Sequence, residues 1–213
     1  MNLSESIHYK SLKKELIEII HWFHSKGWSP ATSTNYSFRN PVPHEDTYTI
    51  SRSGVDKSLF KMDDLMIVDK NGNPTKEFEH IKPSAETLLH TLLYENPETQ
   101  VILHTHTVPN TVLSMIYQKD KQISLQGYEV LKGIHGIKSH EEEVIVPIFE
   151  NSQDMPVLSA EIRGYYQKNP NMQGFLLAGH GLYTWGHTMA EAKRHMEVFE
   201  FLFECVCLKE KLR

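Results

Sequence analysis

Cysteine is scarce in this chain: two residues, Cys205 and Cys207, in 213. They stand two apart in a segment with helical spacing, about 200° from one another around the axis, so they do not pair. No disulfide framework is available, and a reducing compartment is the expectation. Long apolar runs are missing as well. No stretch approaches the roughly 20 residues of a membrane helix, and residues 1–14 are polar and charged, without the apolar core of a secretory signal. Nor is positive charge in excess. The 22 Lys and Arg against 27 Asp and Glu leave a net −5 with His neutral, which gives no footprint for nucleic acid. A cytoplasmic protein with neither a membrane nor a nucleic-acid partner is expected. A phosphorylated small molecule stays open, because it needs only a local anion site. Low-complexity tracts, long linkers and repeats are absent too, so 1–213 reads as one domain.

What the chain has in plenty is histidine, 13 residues. Two of them close the run Val101-Ile102-Leu103-His104-Thr105-His106. Side chains alternate along a strand, so His104 and His106 share a face and can share a metal ion. About one His-x-His is expected by chance at this abundance, so the setting has to carry the argument. His180, in Ala178-Gly179-His180-Gly181, follows the apolar Phe175-Leu176-Leu177 as His106 follows its own run. A catalytic zinc site takes three protein ligands and leaves one position open, and His104, His106 and His180 are the candidates. Spacing alone leaves a second reading open, that of hydrogen-bonded core histidines.

Periodicity predicts a helix through Leu12, Leu16, Ile19, Ile20 and Phe23 that ends at Gly27. Strands are predicted at 47–51, 65–69, 101–106, 143–149, 174–178 and 182–185. Further helices are predicted from Pro83 with Ser84 as N-cap, over 109–118, over 155–168 and over 189–211. Interleaved strands and helices make the class mixed α/β. Several strand-to-strand links are too short for parallel crossovers, which requires antiparallel pairing. The remaining histidines, His21, His24, His90 and His195 among them, read as helix-packing or surface residues. His187 is a weaker candidate for lining the site, and His135 and His140 for a mobile loop near substrate.

The series Ser51-Arg52-Ser53-Gly54-Val55-Asp56-Lys57, Lys82-Pro83-Ser84-Ala85-Glu86, His104-Thr105-His106 and Gly179-His180-Gly181 resembles the class II aldolase/adducin family, in order and over nearly the whole chain. The segments 127–134, 146–151 and 180–186 are most similar to a dehydratase branch that acts on a phosphorylated ketose. The resemblance implies a three-layer α/β/α fold with a largely antiparallel central sheet, and a homotetramer with active sites between subunits. It also implies one Zn²⁺ per subunit on His104, His106 and His180. Glu86 occupies the position of the aldolase acid/base, and Glu129 that of the dehydratase glutamate. Both are catalytic candidates, with Glu129 preferred for proton transfer.

Asn35 and Ser37 match the family's phosphate segment. Ser53, Gly54 and Ser84 offer small side chains and backbone N–H groups for an anion nest, and Lys57 offers formal charge. The expected partner is a small phosphorylated sugar and the expected activity a hydro-lyase. A zinc sugar-phosphate aldolase or epimerase, and a non-catalytic adducin-like module, are the alternatives.

Overall fold

The structure is a computed structural model that describes residues 3–212. Eight strands form one sheet: β1 (Tyr36–Arg39), β2 (Thr47–Ser51), β3 (Leu65–Asp69), β4 (Val101–Thr105), β5 (Gln122–Leu125), β6 (Val144–Phe149), β7 (Gly174–Leu177) and β8 (Gly181–Gly186). Their order is β3-β2-β1-β4-β8-β7-β6-β5. Only β6 and β7 run parallel, and their connection is a full helix; all other neighbours are antiparallel. Short links force antiparallel pairing and a helical crossover permits the one parallel pair.

The helices are α1 (Ile7–Ser25), α2 (Thr87–Leu93), α3 (Val108–Ile116), α4 (Met155–Lys168) and α5 (Met189–Lys211). One face of the sheet carries α1, α3 and α5 over a core that includes Leu16, Ile20, Phe23, Leu103, Leu113, Leu182, Phe199 and Phe203. The other carries α2 and α4 over Ile50, Leu89, Leu92, Ile102, Leu158, Ile162, Phe175 and Tyr183. The result is an α/β/α sandwich. Alternation explains the division: along β4, Val101 and Leu103 face the first core and Ile102 the second. Each such fully buried side chain contributes about 1.5–3 kcal/mol.

Local signals set the helix ends. Ser6 caps α1 by accepting the Tyr9 N–H, and Gly27 leaves it at φ +74°. Thr107, Asp154 and Thr188 cap α3, α4 and α5. The segment at Pro83 departs from expectation. Ser84 does not cap a helix: its hydroxyl accepts the Glu86 N–H in a turn, and α2 begins only at Thr87 and runs seven residues. Ser84 therefore has no helix terminus to offer an anion. Sequence reading also missed β1 and β5, each only four residues long. No described helix is long and apolar enough to cross a membrane.

Candidate active site

β4 is central, hydrogen-bonded to β1 and β8 on either side. His104, near its end, is wholly buried on the face shared with Ile102. Its ring stacks on Tyr183 of β8, centroids 3.9 Å apart. His106 lies just past the strand, and its Nε2 is 2.7 Å from that of His104. His180 comes from the turn between β7 and β8; its ring centroid is 4.5 Å from that of His106 and 5.1 Å from that of His104. Three imidazoles remote in sequence thus converge, with ligand atoms close enough for one ion.

The glycines around His180 permit the approach. Gly179 has φ +66°. At position 181 a Cβ would collide with the Thr105 carbonyl oxygen and lie 2.8 Å from the His106 ring. Any larger residue there would force β8 away from the histidine pair.

The donor chemistry suits a divalent cation. His104 Nδ1–H donates to the Leu182 carbonyl at 2.8 Å, which leaves its Nε2 lone pair free. His180 Nδ1–H donates to Asn151 Oδ1 at 3.2 Å, which frees its Nε2. Outer hydrogen bonds of this kind fix the tautomer of metal-binding imidazoles. Burial lowers the pKa of His104 far below the ordinary value and that of His106 to about 4, with the neighbouring imidazoles adding to both shifts. Neutral rings are the ligating form.

Glu86 completes the cluster. Its Oε1 is 3.3 Å from His180 Nε2 and its Oε2 3.7 Å from His104 Nε2. Burial opposes its ionisation, but the facing imidazoles of His180 and His104 and a hydrogen bond from Tyr183 hold it well below the usual carboxylate range. Tyr183 Oη donates to Oε2 at 2.8 Å, and Asn35 Nδ2 donates to the same oxygen.

Behind Asn35 runs a directional chain that sequence reading did not find. His90 Nε2–H donates to Asn35 Oδ1. Ser37 Oγ is 2.7 Å from both His90 Nδ1 and Tyr94 Oη. With His90 protonated on Nε2, Ser37 donates to its Nδ1 and accepts from Tyr94. The amide of Asn35 is thereby locked with its NH₂ toward Glu86. His90 is buried, and burial holds its pKa down at about 3. It is not a plain helix-packing residue, and the clue would have been its Asn35 and Ser37 partners, which only the β1–α2 packing reveals.

The phosphate candidates are scattered by comparison. Ser37 is fully buried with its hydroxyl engaged, and Asn35 is turned to Glu86, so neither offers a donor to the cleft. Lys57 is buried rather than at the surface. Its Nζ donates to the carbonyls of Val55 and Thr32, and burial lowers its pKa to about 8. Ser53 and Gly54 sit exposed in the loop after β2, outside the lining of the cleft. That cleft, about 600 Å³, lies over the histidines between Glu86, Val108, Val112, Asn151 and His180.

Glu129 stands apart. Its side chain is 69% exposed and pairs with Lys132 and His140. It does not join the histidine cluster of its own chain. His135 and His187 do not line the cleft either; His187 is at the far end of β8, about 20 Å of strand away from His180.

Residues 14–207 match the model of the class II aldolase and adducin N-terminal domain. The chain belongs to the class II aldolase and adducin family. Among relatives in the family, it is 47% identical to methylthioribulose-1-phosphate dehydratase of Picosynechococcus sp., over 94% of this chain and 93% of that one. It is 43% identical to the enzyme of the same name from Marinobacter nauticus, over 92% and 93%. Among solved structures, L-fuculose-1-phosphate aldolase from Thermus thermophilus superposes with a TM-score of 0.72 at 20% identity, covering 94% of each chain; this likeness is one of fold.

Proposed function

We propose that this class II aldolase family member is a methylthioribulose-1-phosphate dehydratase, a hydro-lyase of methionine salvage. It converts 5-methylthioribulose 1-phosphate to 2,3-diketo-5-methylthiopentyl 1-phosphate and water. The match to dehydratases of that name over nine-tenths of both chains carries this reading, and the cytoplasm is its expected site.

His104, His106 and His180 would hold one Zn²⁺ per chain, which when bound supplies Lewis-acid polarisation to substrate oxygens. The rest of the work falls to the chain itself. The C3 proton must leave and the C4 hydroxyl must depart protonated; the enol that results tautomerises to the diketone. Glu129 is the proposed carrier of the proton to the C4 oxygen. Its exposure, and its absence from the histidine cluster and cleft lining of its own chain, support delivery into the site of a neighbouring copy within a homotetramer. Glu86 is the second carboxylate. Held ionised by Tyr183 and Asn35, it is placed to orient the histidines and to accept a proton at the cleft floor. For the phosphate, Lys57 with Ser53, Gly54 and Ser84 remain the proposed donors, while Asn35 and Ser37 serve Glu86.

Incubation with methylthioribulose 1-phosphate and, separately, fuculose 1-phosphate tests the reading. The diketone should form from the first substrate and no cleavage products from the second, and a chelator should stop turnover. Cleavage of the second substrate with no reaction of the first would assign the chain to the aldolases, a reading that the position of Glu86 keeps alive.

A further inference from the structure

A second cluster of imidazoles and carboxylate lies at the other end of β8. His187 follows the strand, Glu191 sits in the first turn of α5, and His135 follows the 3₁₀ turn at 129–133. His187 Nδ1 is 2.7 Å from Glu191 Oε2, and His135 Nδ1 is 3.1 Å from Oε1. The two rings are 4.8 Å apart, centroid to centroid, and nearly perpendicular. All three ligand atoms are close enough for one ion. We propose that His135, His187 and Glu191 form a second metal site, selective for a borderline dication such as Zn²⁺ or Co²⁺, separate from the triad at His104.

The groups are held where such a site needs them. Glu191 is only 13% exposed at its side chain, and its Oε2 accepts the backbone N–H of His187 at 2.8 Å. The His135 backbone N–H donates to His195 Nε2 at 2.9 Å, and His195 Nδ1–H is in turn bound to the Trp185 carbonyl. Both ligating rings now meet the carboxylate through Nδ1. A shift of each neutral ring to its Nε2–H tautomer frees both Nδ1 lone pairs with no change in net charge. The Nε2–H of His187 then faces the exposed Glu98 Oε2, 3.6 Å away, within ion-pair range.

Arg194 donates from Nη2 to Glu191 Oε1 at 3.4 Å and from Nε to the Gly133 carbonyl, while Oε2, which accepts the His187 backbone N–H, keeps a second lone pair for the ion. Two imidazoles and one carboxylate suit zinc-like ions over Mg²⁺ or Ca²⁺, which prefer oxygen-only shells. Occupancy would tie the loop at 129–137, which carries Glu129, to the start of α5.

Equilibrium dialysis of the chelator-stripped full chain against Co²⁺, read by its visible absorption, tests the site. The wild type should take two equivalents per chain. His135→Gln with His187→Gln should take one, His104→Ala with His106→Ala should take one, and the four changes together none. The double variant at 104 and 106 should also melt higher when Co²⁺ is added, and lose that shift when 135 and 187 are changed. A wild-type limit of one equivalent overturns the site, as does a second equivalent that survives His135→Gln with His187→Gln.

Discussion

β8 has a histidine–glutamate cluster at each end, and the two are built oppositely. At its start, His104, His106, His180 and Glu86 are mostly buried and come from the end of β4, a tight glycine turn and the turn before α2, and His104 and His180 turn their Nδ1 atoms outward to the Leu182 carbonyl and Asn151. At its finish, His135, His187 and Glu191 come from a loop and a helix start, with rings half-exposed and Nδ1 atoms turned inward to the carboxylate. Both glutamates are held below the ordinary carboxylate range against the burial that opposes it. The same residue types thus serve two ends. Where rings are buried and their outer nitrogens satisfied, the lone pairs face a cleft and chemistry is available. Where half-exposed rings donate Nδ1–H to a carboxylate in the first turn of α5, the arrangement holds a loop in place, and an ion enters only once both rings have shifted tautomer.

The sharpest way to break this contrast concerns Glu129, which lies on the loop of the distal cluster yet is assigned to the chemistry of the triad. Glu129→Gln should lower turnover by about 10²–10⁴ while metal stays bound. His106→Ala should lose both metal and turnover. Refolded together, the two inactive variants should regain part of the activity, because a mixed assembly can pair an intact triad with an intact Glu129. No recovery on mixing would place Glu129 in its own chain's site or outside the mechanism.

Next in size is a buried carboxyl behind the triad. Glu200 of α5 accepts hydrogen bonds from Thr105 and Thr107, which flank His106, and from Asn110 of α3. Burial outweighs those bonds and raises its pKa from 4.5 to about 7. The folded chain therefore holds this proton more tightly than the unfolded one. That stabilisation is complete below about pH 4.5 and is lost as pH rises through about 7, a swing on the order of 3 kcal/mol. Glu200→Gln removes the titration, so its urea midpoint should vary less between about pH 5 and pH 8 than that of the wild type. Parallel curves would show that the triad end carries no such strain.

The smallest effect expected is in the chain behind Asn35. His90→Phe leaves the Asn35 amide free to turn and should cost about 10–100-fold in turnover or metal affinity, the usual range for an outer partner of a metal site. Unchanged kinetics would show that Tyr183 alone positions Glu86.

Much of this was legible in the residues. The apolar run into His104-Thr105-His106, and the Gly179-His180-Gly181 break after another such run, announced three imidazoles at strand ends, because period-2 alternation fixes which side chains share a face. The end of the first helix at Gly27 and the extents of the helices over 155–168 and 189–211 were readable from periodicity and its interruption. Other features were not readable. β1 is too short to show a pattern, yet it and the residue before it supply Ser37 and Asn35 to a chain of hydrogen bonds that reaches α2. Ser84 has the right type for a cap, but the backbone there turns once before the helix begins.

By itself, then, the sequence determined the mixed α/β class and the antiparallel preference, which follow from period-2 and helical spacing and from short links, and it put forward His104, His106 and His180 as candidates that the family resemblance joined into one set. Tertiary structure alone decided that Asn35 and Ser37 face Glu86 and His90, that Lys57 is buried, that Glu129 stays outside its own chain's histidine cluster, and that His135 meets His187 and Glu191. Those contacts join residues dozens of positions apart, and their partners are chosen by which strand lies beside which, a choice no local pattern encodes.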